Sequence, residues 1–341
     1  MSVTRFRMAS AVLLGVMISP VAASGYSLRE LGVLAREGVA AVRGLNDAGD
    51  VVGSGIIADG PRAFMVNEDR LRIIHPGAAS DYSVAHGING AGVVVGSVNG
   101  TSAVRAFRWT ATQGIIELPP LPAEAASEAF AVTLAGEAVG LSSGKAGTRA
   151  VRWSPTGAIF PLESLPGASE SRAVAINQAG TAVGVSGDRA VAWSADAVTA
   201  LGELPGDDRS EALGINASGH VVGSSGRLAA RRAVRWVPGF SPHDLGVLTG
   251  GAASRALSIN DRGQIVGTSQ SALGNRAVLW TATSGPHDLN DLVPGITGVV
   301  LTSAVAINNR GDIVALGRDD IGHGHDAHDH STRLFLLLAV P

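Results

Sequence analysis

Ser254-Arg-Ala-Leu-Ser-Ile-Asn-Asp-Arg-Gly-Gln-Ile-Val-Gly267, followed by Arg276-Ala-Val-Leu-Trp280, is one copy of a pattern that this chain repeats seven times. Its anchor is an Asn with Gly three and seven residues later. The anchor stands at Asn46/Gly49/Gly53, Asn89/Gly92/Gly96, Asn177/Gly180/Gly184, Asn216/Gly219/Gly223 and Asn260/Gly263/Gly267. The third copy has Thr133 in the Asn place, with Gly136 and Gly140. The seventh has Asn308 and Gly311, then Ala315. Successive anchors are 43, 44, 44, 39, 44 and 48 residues apart. A period of this length marks a repeat architecture in which each copy is one supersecondary unit. A side chain present in every copy serves the unit before it serves a site.

Working outward, Asn-x-x-Gly between two apolar runs reads as a hairpin turn. Asn bonds the backbone ahead of it, and Gly takes the left-handed conformation that closes the loop. The run before the anchor is strand A, such as Ser171–Ile176, and the run after it is strand B. Strand C is Arg-Ala-x-x-Trp. Strand D carries an acidic-Leu-Gly element, such as Asp244-Leu-Gly-Val-Leu248. All are short and bounded by Gly, Pro and Ser.

Strand A is small on one face. Four residues before the anchor stand Val42, Ala85, Ala129, Ala173, Ala212, Ala256 and Ala304, and two before it stand only Gly, Ala or Ser. That suits the innermost strand of a radial array. All five tryptophans, Trp109, Trp153, Trp193, Trp236 and Trp280, fall on strand C, further out where adjacent sheets splay. The count of strands decides closure. Glu30-Leu-Gly-Val-Leu34 copies Asp244 to Leu248 with no A, B or C strand before it, and the chain ends on strand C, Arg333 to Val340. A leading D strand and a missing trailing one describe a ring closed by its two ends. The expectation is an all-β, seven-bladed β-propeller with Leu28 to Leu34 pairing onto the last blade. An open β array with capped ends would not need the displaced strand.

Residues 1–23 read as a secretory signal peptide: Arg5 and Arg7, an apolar run from Met8 to Ile18, and small residues at Val21-Ala-Ala23. Residues 24–341 then form the propeller. The location implied is periplasmic or secreted. No other run reaches the ~18 apolar residues of a membrane helix. The chain has no Cys, which a domain with a large core can do without. Its formal net charge is −3, and Lys145 is the only lysine. No basic tract is present, which argues against a nucleic-acid partner.

The repeat resembles that of the HAF family of bacterial extracellular repeat proteins. The matching segments include Gly87-Ile-Asn89 to Val94-Val-Gly96, Arg105-Ala-Phe-Arg-Trp109 and Asp244-Leu-Gly246. The resemblance spans essentially the whole mature chain and implies export and repeat architecture, with no established reaction. The family's motif has His where this chain has Arg in every copy, so a role tied to that His does not carry over.

Those arginines, Arg62, Arg105, Arg149, Arg189, Arg232, Arg276 and Arg333, begin the seven C strands and would form a ring near one face. Such a ring suits a polyanion. The structural alternative is a guanidinium that stacks between blades or bonds a loop carbonyl. A second candidate is His323-Gly-His325-Asp326-Ala-His328-Asp329-His330. The step from anchor end to strand C is nine residues in five copies and 18 in the seventh, so this tract is a B–C loop insertion. Imidazole and carboxylate together suit a divalent transition metal such as Zn, Ni or Cu. The plain alternative is a solvated low-complexity loop.

Gly140-Leu-Ser142-Ser-Gly144 matches a nucleophile elbow only formally, because its first Gly is the ordinary repeat Gly. Lys145 lacks the following Ser or Thr of a P-loop. Pro242-His243-Asp244 and Pro286-His287-Asp288 recur in register, with a local His–Asp bond expected.

The sequence points to a non-enzymatic binding or scaffolding module outside the cytoplasm; its partner would be a protein or glycan, and the chain a monomer. A hydrolase or lyase acting on a sugar or lactone at the axial mouth would need non-repeating polar residues there. Arg43 and His86 are the two that strand A offers.

Overall fold

The computed structural model describes residues 25–31, 41–57, 60–68, 70–75, 82–99, 103–195, 197–227, 230–281, 284–320 and 332–340. Residues 1–24 lie outside it, and so does the His323–His330 tract. The described residues form 28 strands, β1–β28 in chain order, and no helix. They make seven antiparallel four-stranded sheets. Blade one is β2 (Ala41–Leu45), β3 (Val51–Ile57), β4 (Gly60–Asn67) and β5 (Arg70–Ile73), in the order A-B-C-D. Blades two to six repeat that order. In blade seven, β26 (Val299–Ile307), β27 (Ile313–Asp319) and β28 (Arg333–Ala339) are completed by β1 (Tyr26–Glu30). Each A strand contacts the next around the axis, and β26 lies against β2. This is the closed seven-bladed β-propeller that the strand count predicts.

Closure follows the copied element. Glu30 pairs with Phe335, as Asp244 pairs with Val234 and Asp288 with Val278, each two residues beyond the C-strand Arg. The pairing also takes in Tyr26 and Ser27, ahead of the expected start at Leu28. In blade five strand D ends at Asp244. Leu245 still donates to Ala233 O at 2.9 Å, then Gly246 takes φ +82° and turns the chain away. In blade seven the described closing segment is Tyr26–Leu31, with Leu31 N–H bonded to Leu334 O at 2.8 Å; residues 32–34 of the expected span lie outside the described residues.

The anchor behaves as its chemistry requires. All seven first glycines have positive φ, from 75° to 94°. Each Asn also reaches sideways. Asn46, Asn89, Asn177, Asn216 and Asn260 donate Nδ2–H to the anchor carbonyl of the next blade at 2.8–3.2 Å. Asn308 donates to Asn46 O at 3.1 Å and closes the circle. Thr133 has no amide to donate, so the link from blade three to blade four is missing at this level. A second tier of bonds supports four junctions: the N–H after the anchor donates to the side chain at that position in the next blade, as in Leu134 to Gln178 Oε1 at 2.9 Å.

The core lies between blades. All five tryptophans are buried, each against apolar side chains of the preceding blade, as Trp153 is against Val95, Ala106 and Leu118. Three indole N–H groups bond carbonyls of that blade: Trp153 to Pro119, Trp193 to Glu163 and Trp236 to Gly202. A buried Ser opening the A strand adds a further tie. Ser83, Ser127, Ser171, Ser210 and Ser254 accept the C-strand Ala N–H of the preceding blade at 2.9–3.0 Å. Among the described residues, no helix is long and apolar enough to cross a membrane.

Candidate functional site

The axial mouth is built by a distortion common to all seven A strands. Pairing with strand B skips one residue, so each A strand carries a β-bulge three residues before its anchor. A bulge leaves one side chain out of the ladder and re-aims it. The skipped residues are Arg43, His86 and Phe130 in blades one to three, then Val174, Leu213, Leu257 and Val305. All seven line a single cavity of about 470 Å³ on the axis. Arg172 and Arg255, two residues earlier in their strands, line it towards the face that carries the B–C and D–A loops.

The second glycine of the anchor permits this geometry. A Cβ on Gly223 would stand 1.9 Å from Glu211 O, and one on Gly96 at the same distance from Val84 O. Ala315 occupies that place in blade seven. There β26 has a second bulge, between Leu301 and Ser303, that the other six A strands lack.

The mouth is chemically uneven. Blades four to seven present aliphatic side chains at the bulge, and blades one to three present a cation, an imidazole and a ring. His86 Nε2 stands 3.7 Å from Glu128 Oε2, too far for a hydrogen bond, and that nitrogen is buried without a hydrogen-bond partner among the described residues. The His86 ring meets Phe130 edge-on, with centroids 5.0 Å apart. Burial pushes the His86 pKa below the ordinary imidazole value; Glu128 acts to raise it and Arg43 adds to the lowering. His86 is therefore neutral at neutral pH.

Glu211 collects the cations beside it. Arg255 grips it with two bonds, at 2.7 and 3.0 Å, Arg231 donates at 2.8 Å and Ser224 at 2.9 Å. Burial acts to raise the Glu211 pKa, but the guanidinium groups of Arg255 and Arg231 and the Ser224 hydroxyl outweigh it and hold the carboxyl below its ordinary value. Arg172 and Arg43 differ: neither makes a hydrogen bond or ion pair with a described residue. Arg172 also lines a cleft of about 700 Å³ between blades four and five.

The seven strand-C arginines occupy equivalent positions on the loop face, mostly turned to partners of their own. Arg232 meets Asp244 at 3.0 Å, Arg276 meets Asp288 at 3.6 Å, and Arg333 meets both Glu30 and Asp319. Arg149 and Arg189 lie 3.7 and 3.9 Å from Glu124 and Glu203. Arg105 bonds the carbonyl of Ala125, and Arg62 is buried. The metal candidates His323, His325, Asp326, His328, Asp329 and His330 lie outside the described residues. Ser142 is buried, with its hydroxyl oxygen bonded by Leu121 N–H, so it is no nucleophile elbow. The expected local His–Asp bond is absent. His287 bonds Ser284 at 2.7 Å while Asp288 accepts the N–H of Asn290, because the two side chains of adjacent strand residues point to opposite faces.

Arg43 and His86 stood out in the sequence as polar intruders in strand A, and the structure places both at the mouth. Glu128, Arg172, Glu211 and Arg255 were not singled out. Their signal was available: they share one register, five residues before the anchor, where the other copies have Ala41, Val84 and Ser303.

No protein-family model matches the chain, and no curated protein resembles it. Solved structures do. A streptogramin B lyase shares 11% identity over 92% of this chain and 98% of its own, with a TM-score of 0.60. A catalytically inactive variant of virginiamycin B lyase from Staphylococcus aureus, in complex with quinupristin, shares 15% over 92% and 100%, with a TM-score of 0.59. A chain of a mitotic checkpoint complex shares 12% over 100% and 99%, with a TM-score of 0.57. At such identity the likeness is one of fold.

Proposed function

We propose that this protein is an exported, HAF-type repeat protein that acts as a non-enzymatic binding module, taking its ligand at the axial mouth of the loop face. Export rests on the signal-like run of residues 1–23. The binding reading rests on one observation: all seven bulged residues converge on one cavity, yet they are of five kinds, polar or aromatic in blades one to three and aliphatic in the rest. Residues that serve only the repeat are uniform. Variation at a shared, inward-facing register is how a repeat scaffold acquires a site. The similar rings include lyases and a checkpoint component, so fold does not choose between binding and catalysis.

The test is a thermal-shift screen of glycans, peptides and small organic compounds against the parent and a Leu257→Trp variant that plugs the mouth. A compound that raises the parent's melting temperature, leaves the variant unmoved and is recovered unchanged supports the reading. Stabilisation of both proteins alike places the ligand elsewhere.

His86 beside Glu128 favours a second reading, a hydrolase or lyase acting on a sugar or lactone at the same mouth. A neutral imidazole is the form that accepts a proton. Recovery of a cleaved compound in the same screen, abolished by His86→Ala, would replace the first reading with this one.

A further inference from the structure

The cavity wall carries more information than its position. Its lining includes three guanidinium groups, Arg43, Arg172 and Arg255, and no carboxylate. The chain as a whole has a formal net charge of −3, so the cationic lining is local. Arg255 is neutralised by its two bonds to Glu211. The remaining two are not. The carboxylates at the level of Arg172 in the adjacent blades, Glu128 and Glu211, are turned to His86 and to the Arg255 and Arg231 pair. Arg43 and Arg172 belong to blades one and four, on opposite sides of a seven-membered ring.

Between them the wall is apolar: Phe130, Val174, Leu213, Leu257 and Val305. A guanidinium group left without a carboxylate at the rim of an apolar cavity favours a ligand that supplies the anion itself. It rewards an acid group with charge-assisted bonds, and the wall rewards an apolar body with burial. A plain neutral glycan would leave both guanidinium groups unused, and a small inorganic anion would leave the wall unused.

We propose that the axial mouth binds an organic acid, its apolar body against Phe130, Val174, Leu213 and Leu257 and its acidic group taken by a free guanidinium of the lining, Arg43 or Arg172. This rests on the binding reading above and narrows its ligand class.

The test uses two fluorescent probes on the full chain. Anilinonaphthalene sulfonate has an aromatic body with one fixed negative charge, and phenylnaphthylamine has a comparable body with none. The expected result is saturable binding of the sulfonate, weakened about ten-fold or more in the Arg43→Gln/Arg172→Gln variant, with phenylnaphthylamine bound equally by both proteins. Equal binding of phenylnaphthylamine also shows that the variant is folded. Sulfonate binding that the double substitution leaves unchanged overturns the proposal. Binding of phenylnaphthylamine with none of the sulfonate overturns the acid preference and leaves the mouth a binding site. Failure of both probes overturns this proposal and counts against the binding reading as well.

Discussion

Asn308 donates its side-chain amide to the backbone carbonyl of Asn46 across 3.1 Å of space and 262 residues of sequence. The relationship is the same as that between the other Asn anchors and their neighbours, so the closing junction is built like five others of the ring. Each anchor Asn does two jobs with one carboxamide. Its oxygen accepts the N–H four residues ahead and shapes the hairpin, while its nitrogen reaches the next blade. The repeated turn is thus also the inter-blade fastener. Such bonds matter in an array of this kind because each blade contacts only its neighbours.

Replacing Asn308 with Ala therefore removes a buried amide that also bonds Asp312 at 3.0 Å, leaving carbonyl and carboxylate partners short of a donor. The expected cost is about 2–3 kcal/mol, read as a lower urea midpoint with an unchanged slope. The converse applies at the natural gap. Thr133→Asn supplies the missing seventh amide and is expected to stabilise by about 1 kcal/mol. A Thr133→Asn protein less stable than the parent would show that the gap is filled in some other way.

The closing strand makes a separate claim. Besides its ladder, β1 is held by Tyr26 N–H to Leu292 O at 3.0 Å and by Arg333, which grips Glu30 with two bonds. Deleting residues 25–31 leaves the edge of β28 bare, and bare edges associate. The melting midpoint should fall by about 10 °C, the size expected when several kcal/mol leave a domain of this length, and elution should shift to larger species. A deletion variant that melts with the parent and elutes as it does would mean that the ring holds without its last strand.

The fold was legible because repetition is a redundant signal. Six copies of Asn-x-x-Gly and one of Thr-x-x-Gly fixed the hairpins, five tryptophans fixed strand C, and the stray Glu30-Leu-Gly element fixed closure. The exit of strand D was less so: Asp244-Leu-Gly reads as strand by composition, and only the positive φ of Gly246 shows that it turns out. The site was half legible for a related reason. Arg43 and His86 stood out because small and apolar residues surround them. Glu211 and Arg255 did not, because a charged residue near a strand end reads as solvated, and their mutual bond joins different copies 44 residues apart. The β-bulge itself leaves no composition signature beyond the glycine that faces it.

That glycine gives a sharp contrast between blades. Gly223→Ala places a Cβ 1.9 Å from Glu211 O, and its three nearest atoms are all backbone of Glu211 and Ala212, with no flexible side chain to yield. The expected cost is about 3 kcal/mol. Ala315→Gly, at the same register in the doubly bulged blade, should change stability by less than about 1 kcal/mol. Comparable effects at the two positions would show that the second bulge of β26 has nothing to do with Ala315.

The His323–His330 tract is expected to bind Zn or Ni with modest affinity, since four imidazoles and two carboxylates fall within eight residues. Binding should fade as pH falls through ~6.5, because only neutral imidazole is a ligand. Calorimetry on the parent and on a variant with His323, His325, His328 and His330 all changed to Ala checks it. Equal heats from both proteins would dismiss the site.

Acid should weaken the loop face through Glu211. Its folded-state pKa is held below the ordinary 4.5. A depressed carboxyl contributes stability that is fully present above the unfolded pKa and is lost as pH falls through the folded one. The window is therefore below about pH 4.5, and the direction is destabilisation on acidification. Glu30, held low first by its bonds to Arg333, contributes in the same sense at the ring closure. Glu211→Gln separates the two. It leaves Arg231 and Arg255 without their common carboxylate, so the variant starts less stable at neutral pH, and its melting temperature should then fall less steeply than the parent's between pH 5 and pH 3. Melting curves recorded at half-unit steps across that range measure both slopes. Parallel curves for parent and variant would mean that Glu211 titrates alike in the folded and unfolded chain, and that its three partners do not hold it as their geometry requires.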